Sequence, residues 1–169
     1  MDNQYDISAQ GPDALALDEA QLCDLCDLVL REQGVERPCV VSVSVVDEDR
    51  MREVNAEWRG VDRPTDVISL ECERPDDPDL APSEPCELGD ILLAPAYIAR
   101  QAERFSTTPA DETRLLVVHG LLHLLGHDHL DEDEAVAMEA LEEKILARAG
   151  GDGTLGHVVI TRHRTEDEA

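Results

Sequence analysis

The hydrophobic residues of this chain recur with two different periods, and each period predicts a different element. Recurrence every three or four residues is typical of the buried face of a helix, and alternation with polar residues is typical of a half-buried strand. The first pattern predicts helices over residues 13–33, 47–60, 95–105, 108–125 and 131–149. The second predicts strands over residues 39–46, 65–70 and 88–93, and the polar segment 1–12 is expected to be loose or to form a sheet edge.

This order of elements predicts an α+β domain with a small mixed sheet packed against about five helices. Residues 71–87 contain four prolines and many acidic residues, which indicates a long exposed acidic loop. The largely apolar helix around residues 115–125 is expected to be central. Residues 1–150 are interpreted as a single domain, and residues 151–169 as a C-terminal extension that is either a further edge strand or a tail.

The segment with the most chemistry spans residues 119–129 and reads His-Gly-Leu-Leu-His-Leu-Leu-Gly-His-Asp-His. His119 and His123 are four residues apart in a predicted helix, so their imidazoles share one face, one turn apart. Gly126 can close the helix in a left-handed conformation, which allows the chain to return His129 toward the other two rings. Three imidazoles with a fourth coordination position open are typical of a catalytic zinc site. The sequence therefore predicts one zinc ion held by His119, His123 and His129.

The spacing H-x-x-x-H-x-x-G-x-x-H matches the ligand frame of the metzincin proteases, with one difference. Gly120 occupies the position where those enzymes carry the Glu that acts as general base. The metal frame is therefore kept while the base of a peptidase is missing. The alternative is that these histidines are surface residues after an amphipathic helix. His127 is left out of the predicted ligand set, because its position directs it away from the face that carries the first two histidines.

A second candidate cluster lies in residues 55–69. Arg59 ends a predicted helix, and Arg63 lies in the loop that follows, in a chain with only 14 basic residues. An arginine at a helix C-terminus complements the helix dipole, and Asp62 or Asp66 is an available ion-pair partner. Spacing alone therefore favours a structural role for Arg59.

The formal net charge of −25 is the outstanding feature of the composition. Such a surface repels nucleic acid at long range, which argues against a protein that coats RNA or DNA in general. Adaptation to a high-salt cytoplasm is one interpretation of this charge. A polyanionic substrate would need a local basic lining.

The sequence contains neither an apolar run long enough to span a bilayer nor an N-terminal signal pattern, so a cytoplasmic protein is expected. The five cysteines are irregularly spaced, which argues against a secreted disulfide framework. Cys23 and Cys26 have the spacing of a redox or zinc motif, but they fall within a helical pattern and lack a second pair. Buried thiols are the favoured interpretation.

Three segments taken together resemble the YbeY family of metal-dependent bacterial endoribonucleases, which act in rRNA maturation. They are the three-histidine motif, the Arg-Gly-x-Asp-x-Pro-Thr-Asp-Val segment that begins at Arg59, and Leu88-Gly89-Asp90-Ile91. The resemblance covers roughly residues 15–150. Two positions depart from the family pattern: His127 stands where an aromatic is frequent, and Ala94 where a serine is frequent. The acidic loop and the segment beyond Gly150 are not covered.

The resemblance implies a zinc-binding α+β fold with His119, His123 and His129 as the ligands of one Zn²⁺ per chain. It also implies that Arg59 is the catalytically important basic residue, which reverses the interpretation based on spacing. The implied activity is cleavage of single-stranded RNA, in maturing the three-prime end of small-subunit rRNA and in ribosome quality control. The implied partners are precursor rRNA and the ribosome or small-subunit proteins.

Two other functions remain open at this point. One is a zinc metallopeptidase or another metal hydrolase built on the metzincin-like frame, against which the missing Glu counts. The other is a ribosome assembly factor without catalytic activity, whose metal would be structural. Asp128 is a candidate for orienting one of the ligands, and the proton acceptor is unassigned.

Overall fold

A computed structural model describes residues 2–128 and 130–150 of the chain. Within these ranges there are four strands and five helices, in the order β-α-β-α-β-β-α-α-α. The strands are β1 (Gln4–Gln10), β2 (Cys39–Val46), β3 (Val67–Glu71) and β4 (Cys86–Leu93). The helices are α1 (Glu19–Glu32), α2 (Glu48–Arg59), α3 (Pro95–Arg104), α4 (Pro109–Leu124) and α5 (Glu132–Arg148).

The four strands form one mixed sheet in the order β1-β2-β4-β3. β1 and β2 are parallel, β2 and β4 are parallel, and β3 runs antiparallel to β4 at the other edge. The expected α+β fold with a small mixed sheet and five helices is confirmed. Of the two alternatives for the N-terminal segment, the edge strand is correct, because β1 pairs along its whole length with β2.

Helices cover both faces of the sheet, but unequally. On one face, the valines of β2 that alternate with serines pack with α1, α4 and α5 in the main core. On the other face, Met51 and Val54 of α2 cover Ile68 and Leu92 at one end only. Ser8, Ser44 and Asp90 lie on the part of this second face that the small cluster does not cover.

Helix α4 lies at the centre of the main core, as expected from its apolar sequence. Every residue from 115 to 122 is buried. Thr108 begins the helix by accepting a hydrogen bond from the backbone N–H of Asp111, and Pro109 occupies the first turn, where no N–H is needed. A side chain on this helix therefore faces either the sheet, a neighbouring helix or a cleft.

Three details differ from the sequence-based expectations. Helix α1 begins at Glu19 rather than at residue 13, because Asp18 forms a capping box with Gln21. The helical spacing of Met51, Val54 and Trp58 predicts that all three share one face of α2, but the Trp58 side chain is 62% exposed. Cys26 is buried as expected, whereas Cys23 is only half-buried.

The acidic loop is shorter than residues 71–87, and it is attached to the body of the domain. Glu71 belongs to β3 and Cys86 to β4, and Leu80 within the loop is 9% exposed. The guanidinium of Arg37 donates to the backbone carbonyls of Pro75 (3.3 Å), Ala81 (2.6 Å) and Glu84. A side chain from the α1–β2 connection thus closes the base of the loop.

The predicted C-terminal extension, residues 151–169, lies outside the described residues, and so does His129. Among the helices that are described, none combines the length and the apolar character that crossing a bilayer requires.

Candidate active site

His119 and His123 lie on one face of α4, as their spacing predicts. His119 is buried, with 1% of its surface exposed, and His123 is half-buried. The rings meet edge to face, with their centroids 4.6 Å apart and their planes at 81°. The Nε2 atoms of the two rings are 3.1 Å apart. Helix α4 therefore aims the same nitrogen of both rings at one point.

Glu142 of α5 contacts the opposite side of the His119 ring. Its Oε1 atom lies 2.5 Å from Nδ1 of His119, and its side chain is fully buried. When the carboxylate is ionised, Nδ1–H donates to it, and Nε2 of His119 presents its lone pair toward His123. Glu142 thus fixes the orientation of this ring and, when it is ionised, also its tautomer.

The pKa of Glu142 is raised from 4.5 to about 9, chiefly by burial and also by the negative charges of Glu139 and Glu143. Its second oxygen, Oε2, is buried without a hydrogen-bond partner among the described residues. A buried carboxylate in this state is stabilised in its ionised form by a nearby positive charge. Neither the raised pKa nor the contact with His119 was anticipated from the sequence.

These atoms fit a zinc or similar divalent ion. Two nitrogens that bind one tetrahedral ion at about 2.0–2.1 Å lie about 3.3–3.4 Å apart, close to the observed separation of the two Nε2 atoms. His129, the third predicted ligand, lies outside the described residues. Among the residues that are described, no group of three or more His, Cys, Asp or Glu side chains converges on a metal position.

The turn after α4 has the conformation that its glycine predicts. Gly126 has φ +101°, its N–H donates to the carbonyl of His123, and the N–H of His127 donates to that of Leu122. A Cβ atom at this position would lie 2.3 Å from a guanidinium nitrogen of Arg74 in the acidic loop. His127 points away from the two helical histidines and contacts the side chain of Gln33 at 2.8 Å.

Gly120 lies against the sheet. A Cβ atom there would lie 3.0 Å from Oγ of Ser69 and 3.4 Å from Ile91. The hydroxyl of Ser69 donates to the carbonyl of Gly120 at 3.2 Å, so the helix and β3 are in close contact. The close contact leaves little room for a side chain at position 120, and the glycine itself provides no general base.

Arg59 lies at the end of α2, and the turn that follows it is well defined. Gly60 adopts the left-handed conformation with φ 71°. The side chain of Asn55 donates to the carbonyl of Arg63 at 2.8 Å, and its backbone carbonyl accepts from Val61. Asp62, one of the two candidate partners for Arg59, instead binds Arg52 through both of its oxygens, at 2.8 and 3.2 Å.

A single cleft of about 300 Å³ brings the described candidate residues together. Trp58, Leu130 and the β3 residues form much of its wall, and its polar lining consists of Arg59, Ser69, Glu71, His119, His123 and Asp128. Among these described side chains, the single arginine faces two carboxylates, so the lining is not the basic pocket that a polyanionic substrate would need by charge alone. A bound dication would reverse this balance.

The chain matches the family model described as Endoribonuclease YbeY over residues 12–150. It is 44% identical over 119 residues to the Endoribonuclease YbeY of Paramagnetospirillum magneticum, which covers 69% of this chain and 73% of that protein. It is 38% identical over 143 residues to the Endoribonuclease YbeY of Thermobifida fusca, with 83% of this chain and 92% of that protein covered.

Among solved structures, the solution structure of TM1509 from Thermotoga maritima superposes with a TM-score of 0.52 at 24% identity, over 85% of this chain and 90% of the other. That similarity shows a shared fold. The segment matched by the family model contains all the predicted site residues.

Proposed function

The chain belongs to the YbeY family of endoribonucleases, and from this premise we propose that it is a zinc-dependent enzyme that hydrolyses phosphodiester bonds in single-stranded RNA. The observation that carries the proposal is that Arg59 lines the same cleft as the facing Nε2 atoms of His119 and His123. A guanidinium beside a pair of imidazoles suits a phosphodiester, because both the phosphate and a metal ion are accommodated in one small space.

In this proposal His119, His123 and His129 hold one zinc ion. A bound zinc supplies Lewis-acid chemistry, polarising the phosphoryl group and lowering the pKa of water. Glu142 holds the His119 ring with Nε2 directed into the cleft. Asp128 lines the cleft on the side of the turn, which is consistent with a role in orienting a ligand.

Arg59 binds the substrate phosphate and stabilises the charge that develops on it. The planar guanidinium donates two parallel hydrogen bonds to phosphate oxygens, which fixes the phosphate as well as neutralising it. Its backbone is set by Gly60 and by the hydrogen bonds of Asn55 across the turn. The reacting bond is thereby held between Arg59 and the histidines.

The proposed substrate is precursor rRNA, with maturation of the three-prime end of small-subunit rRNA and ribosome quality control as the biological setting. The proposed partners are the ribosome or its small-subunit proteins, and the proposed location is the cytoplasm. Family membership supports these assignments. A peptidase is less well supported, because position 120 is a glycine and so supplies no carboxylate to act as general base.

The experiment compares cleavage of a fluorescent single-stranded rRNA fragment, its duplex form and casein, each with zinc and with EDTA. We expect cleavage of the single strand alone, dependent on zinc. Arg59→Ala should lower kcat by roughly 10²- to 10³-fold, the usual effect of removing one donor to transition-state charge, while bound zinc stays stoichiometric.

Arg52→Ala is the matched control, because Arg52 is an exposed arginine of the same helix, paired with Asp62, and does not line the cleft. Its activity should equal that of the unmodified protein. Casein hydrolysis, or RNA cleavage that persists in EDTA, contradicts the proposal. Loss of zinc or of folding in Arg59→Ala contradicts the assignment of Arg59.

A further inference from the structure

Trp58 is an aromatic side chain that the fold leaves in solvent. It is the only tryptophan of the chain, and 62% of its surface is exposed, although it lies on the helix that buries Met51 and Val54. Large rings contribute most to stability when they are buried, and an exposed ring beside a cleft is typical of a binding surface. Leu130, which is 80% exposed, lines the same cleft.

Trp58 lines two adjoining cavities. The first is the cleft that contains Arg59 and the two histidines. The second is a groove of about 230 Å³ over the part of the sheet that α2 leaves open, with Ser44 and Asp90 in its lining. Trp58 and Leu70 belong to both. A chain that leaves the cleft over Trp58 therefore enters the groove.

Each cavity has one arginine in its lining. Arg59 lines the cleft, and Arg50 lines the groove. Arg50 is paired with Glu53 at 3.1 Å, but both side chains are at least half exposed, and such pairs are weak enough to exchange for a phosphate. The two cavities thus combine arginines, which bind phosphates, with an aromatic ring, which stacks on a base, and these are the groups that bind a single nucleic acid strand.

Charge alone does not attract RNA to this surface, since the net charge is −25 and both cavities contain carboxylates. Stacking between a base and an aromatic ring adds affinity that does not depend on net charge, and it tolerates any sequence because every base has a π face. It also requires an unpaired base, since neighbouring pairs cover both faces of a base inside a duplex.

We propose that Trp58 is the stacking platform for the unpaired base next to the scissile phosphate of single-stranded RNA, and that the strand continues into the groove lined by Arg50 and Ser44. This inference rests on the proposed function, because it takes RNA as the substrate. In this proposal the exposed Trp58 ring is the feature of the site that selects single strands over duplexes.

The sole tryptophan provides a direct measurement. Stopped-flow fluorescence of the zinc-loaded protein mixed with a short single-stranded RNA should show quenching on binding, before product is released. The same sequence annealed to its complement should give little or no quenching. Trp58→Ala should raise the KM for the single strand by roughly 10- to 100-fold, the usual cost of one lost stacked base, with the loss mainly in KM.

Trp58→Phe tests whether a ring is what matters, and it should restore most of the affinity. Phe105→Ala is the control, because Phe105 is an exposed aromatic at the end of α3 that lines neither cavity. Absence of quenching, or an unchanged KM in Trp58→Ala, overturns the inference about Trp58. If the unmodified protein still cleaves the RNA in that case, the proposed function is unaffected. Quenching without cleavage would support the stacking platform and contradict the proposed function.

Discussion

Two buried carboxylates in this domain, Asp66 and Glu142, differ in how many of their oxygens accept hydrogen bonds. At the start of β3, Asp66 accepts hydrogen bonds from the N–H of Val67 (2.8 Å) and the hydroxyl of Thr65 (3.3 Å) through Oδ1. Its Oδ2 atom accepts from the side chain of Gln101 (3.0 Å). Glu142 contacts His119 through Oε1, and its Oε2 atom is buried without a hydrogen-bond partner in the described part of the chain.

This difference in hydrogen bonding indicates a structural role for Asp66 and a ligand-binding role for Glu142. A buried carboxylate whose oxygens both accept hydrogen bonds is stabilised by the protein alone. A buried carboxyl group with only one hydrogen-bonded oxygen, next to two imidazoles whose Nε2 atoms face each other, is stabilised in its ionised form when a cation binds nearby. We therefore expect Asp66 to determine stability and Glu142 to determine the affinity for metal.

The largest expected effect is on stability, in Asp66→Ala. The substitution leaves the buried donors of Val67 and Gln101 without their acceptor, so the free energy of unfolding should fall by about 3 kcal/mol or more. Urea denaturation monitored by circular dichroism measures this change. Asp24→Ala, an exposed carboxylate of α1, should change the same quantity by less than about 0.5 kcal/mol. If the Asp66→Ala protein kept its stability but lost zinc, Asp66 would have the metal-related role that we assign to Glu142.

A second prediction concerns metal affinity in Glu142→Ala. Removing the acceptor of His119 frees its ring to change orientation and tautomer, so zinc affinity should fall by about 10- to 100-fold. Competition with a chromophoric chelator measures the dissociation constant without reference to activity.

Glu143→Ala, an exposed neighbour on the same helix, is the control for Glu142→Ala and should bind zinc like the unmodified protein. Glu142→Gln retains an acceptor for Nδ1–H and should recover part of the affinity. Equal zinc binding in Glu142→Ala and Glu143→Ala would show that Glu142 is an ordinary core residue.

The smallest expected effect is the pH dependence of stability in the metal-free protein. Burial raises the pKa of Glu142 to about 9, so folding favours its protonated form. Its contribution is therefore most favourable below pH 4.5 and is lost as the pH rises toward 9. In EDTA, Glu142→Gln should become progressively more stable than the unmodified protein over this range, as thermal unfolding would show. A difference that shrinks with rising pH would contradict the shift.

Local patterns in the sequence were enough to predict most of the fold and to identify the two helical histidines of the cleft as candidates. The caps at Asp47 and Thr108, the left-handed glycines and the i, i+4 histidines all depend on residues a few positions apart. Glu142 was missed because its partner is 23 residues away on another helix and its neighbours on α5 are also acidic. One signal was available in the sequence: Glu142 lies between Met138 and Ile145 on the apolar face of α5, and a charged residue at a buried position needs a partner.

Other differences arise from tertiary packing. Met51 and Val54 find apolar partners on the partly covered face of the sheet, whereas Trp58, one turn further along α2, extends beyond that cluster. Helical periodicity cannot detect where the supporting surface ends. Likewise, composition indicated an exposed loop between β3 and β4 but could not indicate that Arg37, from a distant segment, binds three of its carbonyls.

The binding of Arg37 to the loop carbonyls has a consequence for cleavage of the backbone. Since Arg37 secures the loop from outside, and β3 pairs with β4 in register from Val67↔Leu93 to Glu71↔Gly89, the two strands do not depend on the covalent link between them. Opening the backbone near its exposed acidic residues, by limited proteolysis or by circular permutation with new termini there, should leave the halves assembled around the same sheet.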